Sequence, residues 1–301
     1  MIHALVTGPK GWLGSRLMEL LPRDWNVRAM GLPDGDLRNP TDCARLCDGT
    51  KGAVLFHTAG IIHPRRVREF YDINVTGAMN LLDAAVHAGV RRAVIVSSNS
   101  PCGCNPHPDH LFDENSPYHP YMNYGYSKML MEMAVQKRQQ AGDIETVIIC
   151  APWFYGPNQP PRQSLFFKMV RDGKAPIVGS GDNLRSMAYL DNLCQGLLLA
   201  ATVECANCQT YWIADKRPYS MNEIVDTVDR LLETEFNTPC AHKRLRLPGF
   251  ASEVAWLVDK TMQAAGLYNQ KIHVLSEMNK TIACSVAKAE RELGYRPEIA
   301  L

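Results

Sequence analysis

Six short apolar or strand-like runs punctuate the chain: "IHALVT" (2–7), "NVRAM" (26–30), "AVLFHTAG" (53–60), "RAVIVSS" (92–98), "ETVIIC" (145–150) and "QTYWIA" (209–214). Most have too many consecutive apolar positions for a sheet with one wet face, so they read as strands buried on both sides. Between them, residues 12–21 and 66–88 place apolar residues at helical spacing, and another helix starts near Tyr124. Strands alternating with helices predict an α/β fold built on a doubly wound parallel sheet. After residue 150 the alternation loosens. Residues 151–163 read as a Pro-rich loop, 176–192 as short strands and turns, and 193–203 as a helix, while 209–214 closes the main sheet. Ser220 caps a helix over 220–233, a further apolar helix covers roughly 250–266, and a short one precedes "GYRPEIAL". The division expected is a first domain over 1–152, rejoined by segments near 188–215. A smaller C-terminal α/β lobe, mainly 153–301, lies over the C-terminal edge of the sheet, where ligands bind in open α/β folds.

Composition narrows the class without changing this picture. With 301 residues, 46% hydrophobic and 21% charged, the chain can bury one large core or two smaller ones. The formal net charge of +1 gives no general surface for nucleic acid or for a membrane. The basic clusters "RRVR" (65–68) and "HKRLRL" (242–247) are explained as solvated faces. No apolar run approaches the ~20 residues that span a bilayer, and the N-terminus reads as a strand rather than a leader, so a cytoplasmic setting is expected. There most of the ten cysteines are expected to be free thiols in apolar surroundings. "CANC" (205–208) lacks the second pair a zinc site needs, and no metal is expected.

The first candidate for chemistry is "TGPKGWLG" (7–14), where Gly8, Gly11 and Gly14 follow a strand and open a helix. Glycines in that context let a pyrophosphate approach backbone N–H groups at a helix N-terminus. Dinucleotide folds usually end the second strand with an acid that holds a ribose. Here the strand ends Met30-Gly31, with no acid before Asp34, and Lys10 could meet a 2′-phosphate instead, so NAD and NADP both stay open. The connection that follows is short, as if a helix and a strand had been trimmed away.

The second candidate is "YMNYGYSKML" (121–130). Residues four apart share a helix face, so Tyr124, and not Tyr121 or Tyr126, is the partner of Lys128. A nearby ammonium stabilises a phenolate, which lets a tyrosine with an ordinary pKa near 10 exchange protons near neutrality.

Together with "GDLRNP" (35–40), "HTAG" (57–60), "INVTG" (73–77), "SSNSPCG" (97–103), "YGYSK" (124–128) and "WFYGP" (153–157), the glycine loop resembles the extended short-chain dehydrogenase/reductases over essentially the whole chain. These are also called NAD-dependent epimerase/dehydratases. The resemblance implies a Rossmann-type sheet carrying NAD or NADP. It implies catalytic roles for Ser98, Tyr124 and Lys128, with Ser98 and Tyr124 flanking the reacting carbinol or ketone. Cofactor contacts are implied for Gly8, Lys10, Gly11, Trp12, Leu13, Gly14, Asp36, Leu37, Thr58, Ala59, Gly60, Asn74, Ser97 and Pro152, and for Tyr124 and Lys128 themselves. A homodimer through the helices near 66–88 and 124–141 is also implied.

For the substrate, the resemblance divides. "GDNLRSMAYLDN" (181–192) is similar to nucleotide-sugar enzymes, in which an arginine at the place of Arg185 binds the substrate diphosphate. Those enzymes usually read Arg-Pro-x-Asn after the fifth strand. Here Cys150 replaces the arginine, and Trp153 and Phe154 would make an apolar wall. That change, with the tail, is similar to the 3β-hydroxysteroid dehydrogenase and dihydroflavonol reductase branch. Ser98, Asn99 and Ser100 stand where 4,6-dehydratases carry Thr-Asp-Glu, so water elimination lacks its usual acid and base. Cys102, where a tyrosine is common, reads as a space-filling change. The expectation is an oxidoreductase or epimerase transferring hydride at a secondary alcohol or ketone of a small molecule, with a nucleotide sugar favoured and an apolar ketone as the alternative. A non-catalytic dinucleotide-binding regulator would be expected to lose the tyrosine or the lysine.

Overall fold

The computed structural model describes residues 2–301, apart from the side chain of Arg162. In chain order the first half runs β1 (His3–Thr7), α1 (Trp12–Leu20), β2 (Asn26–Met30), α2 (Pro40–Cys47), β3 (Val54–His57), a π-type helix (Phe70–Gly77) continuing into α3 (Ala78–His87), β4 (Arg92–Ser98), α4 (Met122–Gln140) and β5 (Glu145–Ala151). The second half runs β6 (Trp153–Tyr155), α5 (Pro161–Arg171), β7 (Pro176–Val178), β8 (Leu184–Arg185), β9 (Met187–Tyr189), α6 (Leu190–Thr202), β10 (Gln209–Trp212), β11 (Tyr219–Ser220), α7 (Met221–Thr234), β12 (Leu245–Leu247), α8 (Phe250–Ala264), α9 (Gln270–Glu277) and α10 (Ala287–Leu293).

The main sheet has six strands in the order β10-β5-β4-β3-β1-β2, every pair parallel. Its centre is covered on both sides: every residue of β3 and six of the seven in β4 are buried. The chain moves outward in opposite directions from β1 and β3, so the switch point lies between their C-terminal ends. The glycine loop leaves the first of these and "TAG" (58–60) the second.

No helix or strand separates β2 from residues 35–40, in keeping with the short connection, and α2 follows directly after them. Asn39 caps it by accepting from the Thr41 N–H, and Pro40 at its first turn gives up no hydrogen bond. Helices α2, α5 and α9 were not foreseen. Ser220 caps α7 as expected, accepting from the Glu223 N–H at 3.0 Å.

Two apolar cores result. The larger surrounds the sheet and takes in α6, β10 and residues 284–295, a tail segment expected in the lobe. The smaller joins Val170, Ile177, Met187, Tyr219 and the buried face of α7. Three two-stranded sheets, β6-β9, β7-β12 and β8-β11, belong to this second region. No helix among the described residues is long and apolar enough to cross a membrane.

Candidate active site

The glycine loop is closed by its own backbone. Gly8 turns at φ +74°, its N–H donates to the Met30 carbonyl at 2.9 Å, and Gly11 N–H donates back to the Gly8 carbonyl. A Cβ at Gly14 would stand 2.1 Å from the Gly8 oxygen and 2.8 Å from Thr58 Oγ1. The first turn of α1 can therefore press against β1 and β3 only without a side chain there. Thr58 Oγ1 donates to the Thr7 carbonyl, and Ala59 abuts Gly8, which brings the two strand ends into one cradle. Gly11 and Gly60 are exposed on it, and a Cβ at Gly60 would stand 3.7 Å from Lys128 Nζ. This cradle fits a dinucleotide: a backbone floor at a helix N-terminus.

The predicted neighbours of that cradle have varied fates. Leu13 and Leu37 are buried in the main core, so only their backbones are available to a ligand. Lys10 pairs with Asp34 at 2.9 Å, both exposed, beside the end of β2. Asp36 is gripped by the Arg38 guanidinium, which holds its carboxyl below the usual carboxylate range. Pro152 is buried between β5 and β6. Asn74 is a buried anchor: it accepts from Ile61 N–H at 2.8 Å and donates to the Ile61 carbonyl and to Ser127 Oγ. All of its polar capacity shown here goes to protein, so it sets the strand-end loop and α4 rather than reaching outward.

Tyr124 and Lys128 lie on α4 four residues apart, while Tyr126 is exposed on another face. The start of α4 rests on the loop after β4. Tyr121 N–H donates to the Ser100 carbonyl at 2.9 Å, and a Cβ at Gly125 would meet that same oxygen at 2.4 Å. Met122, at φ +52°, holds a left-handed conformation that is costly for a non-glycine residue, immediately before Asn123 and Tyr124. Ser98 Oγ is within 3.3 Å of Ser100 Oγ and 3.4 Å of Asn99 Oδ1, so the predicted serine, asparagine and second serine form one polar cluster. The Tyr124 ring packs 5.6 Å from Phe70.

Lys128 is buried, and its Nζ donates to the Val96 carbonyl at 2.9 Å. Burial pushes its pKa down to about 8, while Glu132, one turn on, pulls it upward. Glu132 was not foreseen. It is buried, and burial raises its pKa against the hydrogen bonds from Ser97 and Tyr118. The Ser97 hydroxyl thus points to Glu132 and not to a ligand. The signal was present in the sequence as a carboxylate four residues after Lys128. His57, at the end of β3, is buried with Nδ1 2.8 Å from Thr7 Oγ1, and burial, with a smaller effect of Lys128, holds its pKa near 3.

The substrate-side expectations need correction. Trp153 and Phe154 do not share a wall, because successive residues of a strand face opposite ways. Trp153 turns into the lobe core, edge-on to Phe166 at 5.3 Å. Phe154 packs on Trp12 at 5.1 Å, and Trp12 Nε1 donates to the Pro157 carbonyl. Arg185 is held by Glu277, donating to its carbonyl and facing its carboxylate at 3.9 Å. Cys102 is buried, its thiol raised to about 12 by burial, which suits a filler rather than a nucleophile. All ten cysteines are free.

A six-stranded parallel sheet with its switch point at a glycine cradle, and a Tyr-x-x-x-Lys helix beside it, is the architecture of the short-chain dehydrogenase/reductase fold. The profile of the NAD dependent epimerase/dehydratase family matches residues 4–214, and the chain belongs to that family. Among similar proteins is one of Sinorhizobium fredii, y4nL, 50% identical over 99% of this chain and 91% of its own. A 3 beta-hydroxysteroid dehydrogenase/Delta 5-->4-isomerase of Mycobacterium tuberculosis is 30% identical over 98% of this chain and 86% of its own. An N-acetyl-alpha-D-glucosaminyl-diphospho-ditrans,octacis-undecaprenol 4-epimerase of Escherichia coli is 27% identical over 76% and 72%. The UDP-glucose 4-epimerase structure from Thermotoga maritima superposes with a TM-score of 0.79 at 18% identity, over 99% of this chain and 94% of that one.

Proposed function

We propose that this chain is an NAD(P)-dependent oxidoreductase or epimerase acting at one secondary alcohol or ketone. The observation that carries this is the seating of the α4 start, with Tyr124 and Lys128 on one face, against the Ser98–Ser100 loop beside the glycine cradle. A nicotinamide dinucleotide on that cradle would supply the hydride donor or acceptor. The protein's part is the proton: Tyr124 exchanges it with the substrate oxygen, Ser98 donates a hydrogen bond to the same oxygen, and the Lys128 ammonium favours the phenolate.

For the substrate, a sugar carrying a diphosphate is favoured over an apolar ketone. Arg185 is a guanidinium whose acidic neighbour, Glu277, a diphosphate could replace. The Escherichia coli relative is named for a diphosphate-linked sugar, which agrees with this. The apolar reading keeps the support of the mycobacterial relative, but Trp153 and Phe154, which suggested it, are committed to packing.

The test is turnover, followed as reduction of NAD or NADP or as sugar interconversion, on a panel of UDP- and dTDP-hexoses and 3β-hydroxysterols. Tyr124→Phe should lower kcat by 10²-fold or more, the scale of general acid–base catalysis, and should leave dinucleotide affinity intact. Retention of most activity would refute the assignment. Arg185→Ala should weaken UDP or dTDP binding roughly tenfold or more, as expected for a lost charge-assisted pair. Unchanged affinity would dismiss the diphosphate reading and leave the family chemistry standing.

A further inference from the structure

Helix α8 is inside out. Its buried positions are Ser252, Ala255, Asp259 and Gln263, three of them polar. Its exposed positions include Phe250 (68%), Val254 (56%), Leu257 (60%) and Val258 (42%), which line one face at helical spacing. Leu267, just past the helix, and Val274, on α9, are each 42% exposed as well.

The polar side is tied to its neighbours, Asp259 through one of its two carboxylate oxygens. Asp259 accepts from Gln263 Nε2 at 2.9 Å and lies 2.7 Å from His273 Nδ1 on α9. Gln263 Oε1 accepts from both nitrogens of Asn123, the residue before Tyr124. Tyr121 OH lies 2.7 Å from Ser276 Oγ. Polar contacts therefore fasten the α8–α9 pair over the start of α4, and the apolar face is left outward, exposed among the described residues. Single exposed apolar residues are ordinary, but a contiguous stripe of them on one helix marks a contact surface.

Basic residues border the stripe. Arg65 and Arg66 are exposed at its C-terminal end, where Arg66 bridges to Leu267 and Val67 N–H donates to the Gly266 carbonyl. Lys243 and Arg246 are exposed in the residues before its N-terminal end, Lys260 on α8 lies over the Trp256 ring, and Lys271 is exposed on α9. The exposed acid of the helix, Glu253, is neutralised by Lys280. An isologous second copy would bring these cations together. A 15-residue helix, about 22 Å long and about 10 Å wide, also offers far less than the roughly 800 Å² per partner of a stable protein interface. An apolar stripe rimmed by cations matches instead the physics of an interfacial helix on an anionic bilayer.

We propose that the outer face of α8 docks this protein on a membrane surface containing anionic phospholipid, with Phe250, Val254, Leu257 and Val258 entering the headgroup boundary. The docked face ends at the site: Tyr268, just past α8, packs 5.5 Å from Phe70, which packs on Tyr124. Docking turns the tyrosine's flank toward the bilayer. The proposal does not depend on which substrate is turned over.

The test is co-sedimentation of the full chain with vesicles of phosphatidylcholine, with and without phosphatidylglycerol. Binding to the anionic vesicles is expected to be at least about tenfold tighter, since each engaged Lys or Arg contributes roughly fivefold, and to weaken as salt is raised. The triple variant Phe250→Ser, Val254→Ser, Leu257→Ser should lose it while keeping its melting temperature and its response to dinucleotide. Leu165→Ser, an exposed apolar residue on α5, should keep it. Failure to bind either vesicle, binding indifferent to the triple variant, or a dimer that the triple variant dissolves would each overturn the proposal. The last would assign the stripe to a second copy.

Discussion

Two buried titratable side chains near the site should leave marks of the same sign in two separate windows of the pH profile of stability. Lys128 is held near 8 in the fold against 10.5 unfolded, so between about pH 8 and 10.5 the unfolded chain binds the extra proton and stability rises with pH. His57 does the same lower down: its contribution is complete above 6.5 and is lost as pH falls toward about 3. Each slope approaches about 1.4 kcal/mol per pH unit at its steepest. Urea titrations across pH are expected to show both limbs, with Lys128→Met flattening the alkaline one and His57→Asn the acid one. If both variants keep the wild-type profile, neither group is buried in the state described. Spacing singled out Tyr124 as the partner of Lys128, because residues four apart share a helix face, but the pair stood out as a site only together with the glycine loop and the other motifs. Glu132 had the same spacing signal, but its role depends on burial, which no local pattern announces. The partner of Arg185 is 92 residues away in sequence, so its engagement by Glu277 was out of reach.

At the scale of elements, the close contact between α4 and the loop after β4 decides the site. Gly125 permits it, because a Cβ there would stand 2.4 Å from the Ser100 oxygen. Gly125→Ala should push the helix start away, lowering kcat more than it raises KM, and should cost on the order of 1–3 kcal/mol of stability, the usual price of overpacking. Wild-type kinetics in this variant would mean that α4 is seated elsewhere. Most of the main strands were legible because parallel strands buried on both faces are continuous apolar runs; the edge strand β2, largely exposed, was legible from its place in the alternation. Helix α2 was not, because only eight residues separate its ends and its signal lies in the Asn39-Pro40 cap rather than in a long periodicity. The polar-inward, apolar-outward arrangement of α8 was also hidden: its period was visible, but the direction it faces is set by Asn123, Tyr121 and α9.

The whole molecule places a glycine cradle, a Tyr-x-x-x-Lys helix and a polar-fastened helical pair at one edge of a parallel sheet. The central claim is that this edge is a dinucleotide-dependent site working through Tyr124. The most direct measurement is the melting temperature with NAD, NADP and their reduced forms, alone and then with UDP, dTDP or GDP. A ligand at a hundred times its Kd should add about 2.7 kcal/mol of stability. The account predicts a rise with at least one dinucleotide, kept by Tyr124→Phe and lost in Gly14→Val, with a further rise from a nucleoside diphosphate that Arg185→Ala removes. No response to any dinucleotide, or a response that Gly14→Val leaves intact, would contradict it.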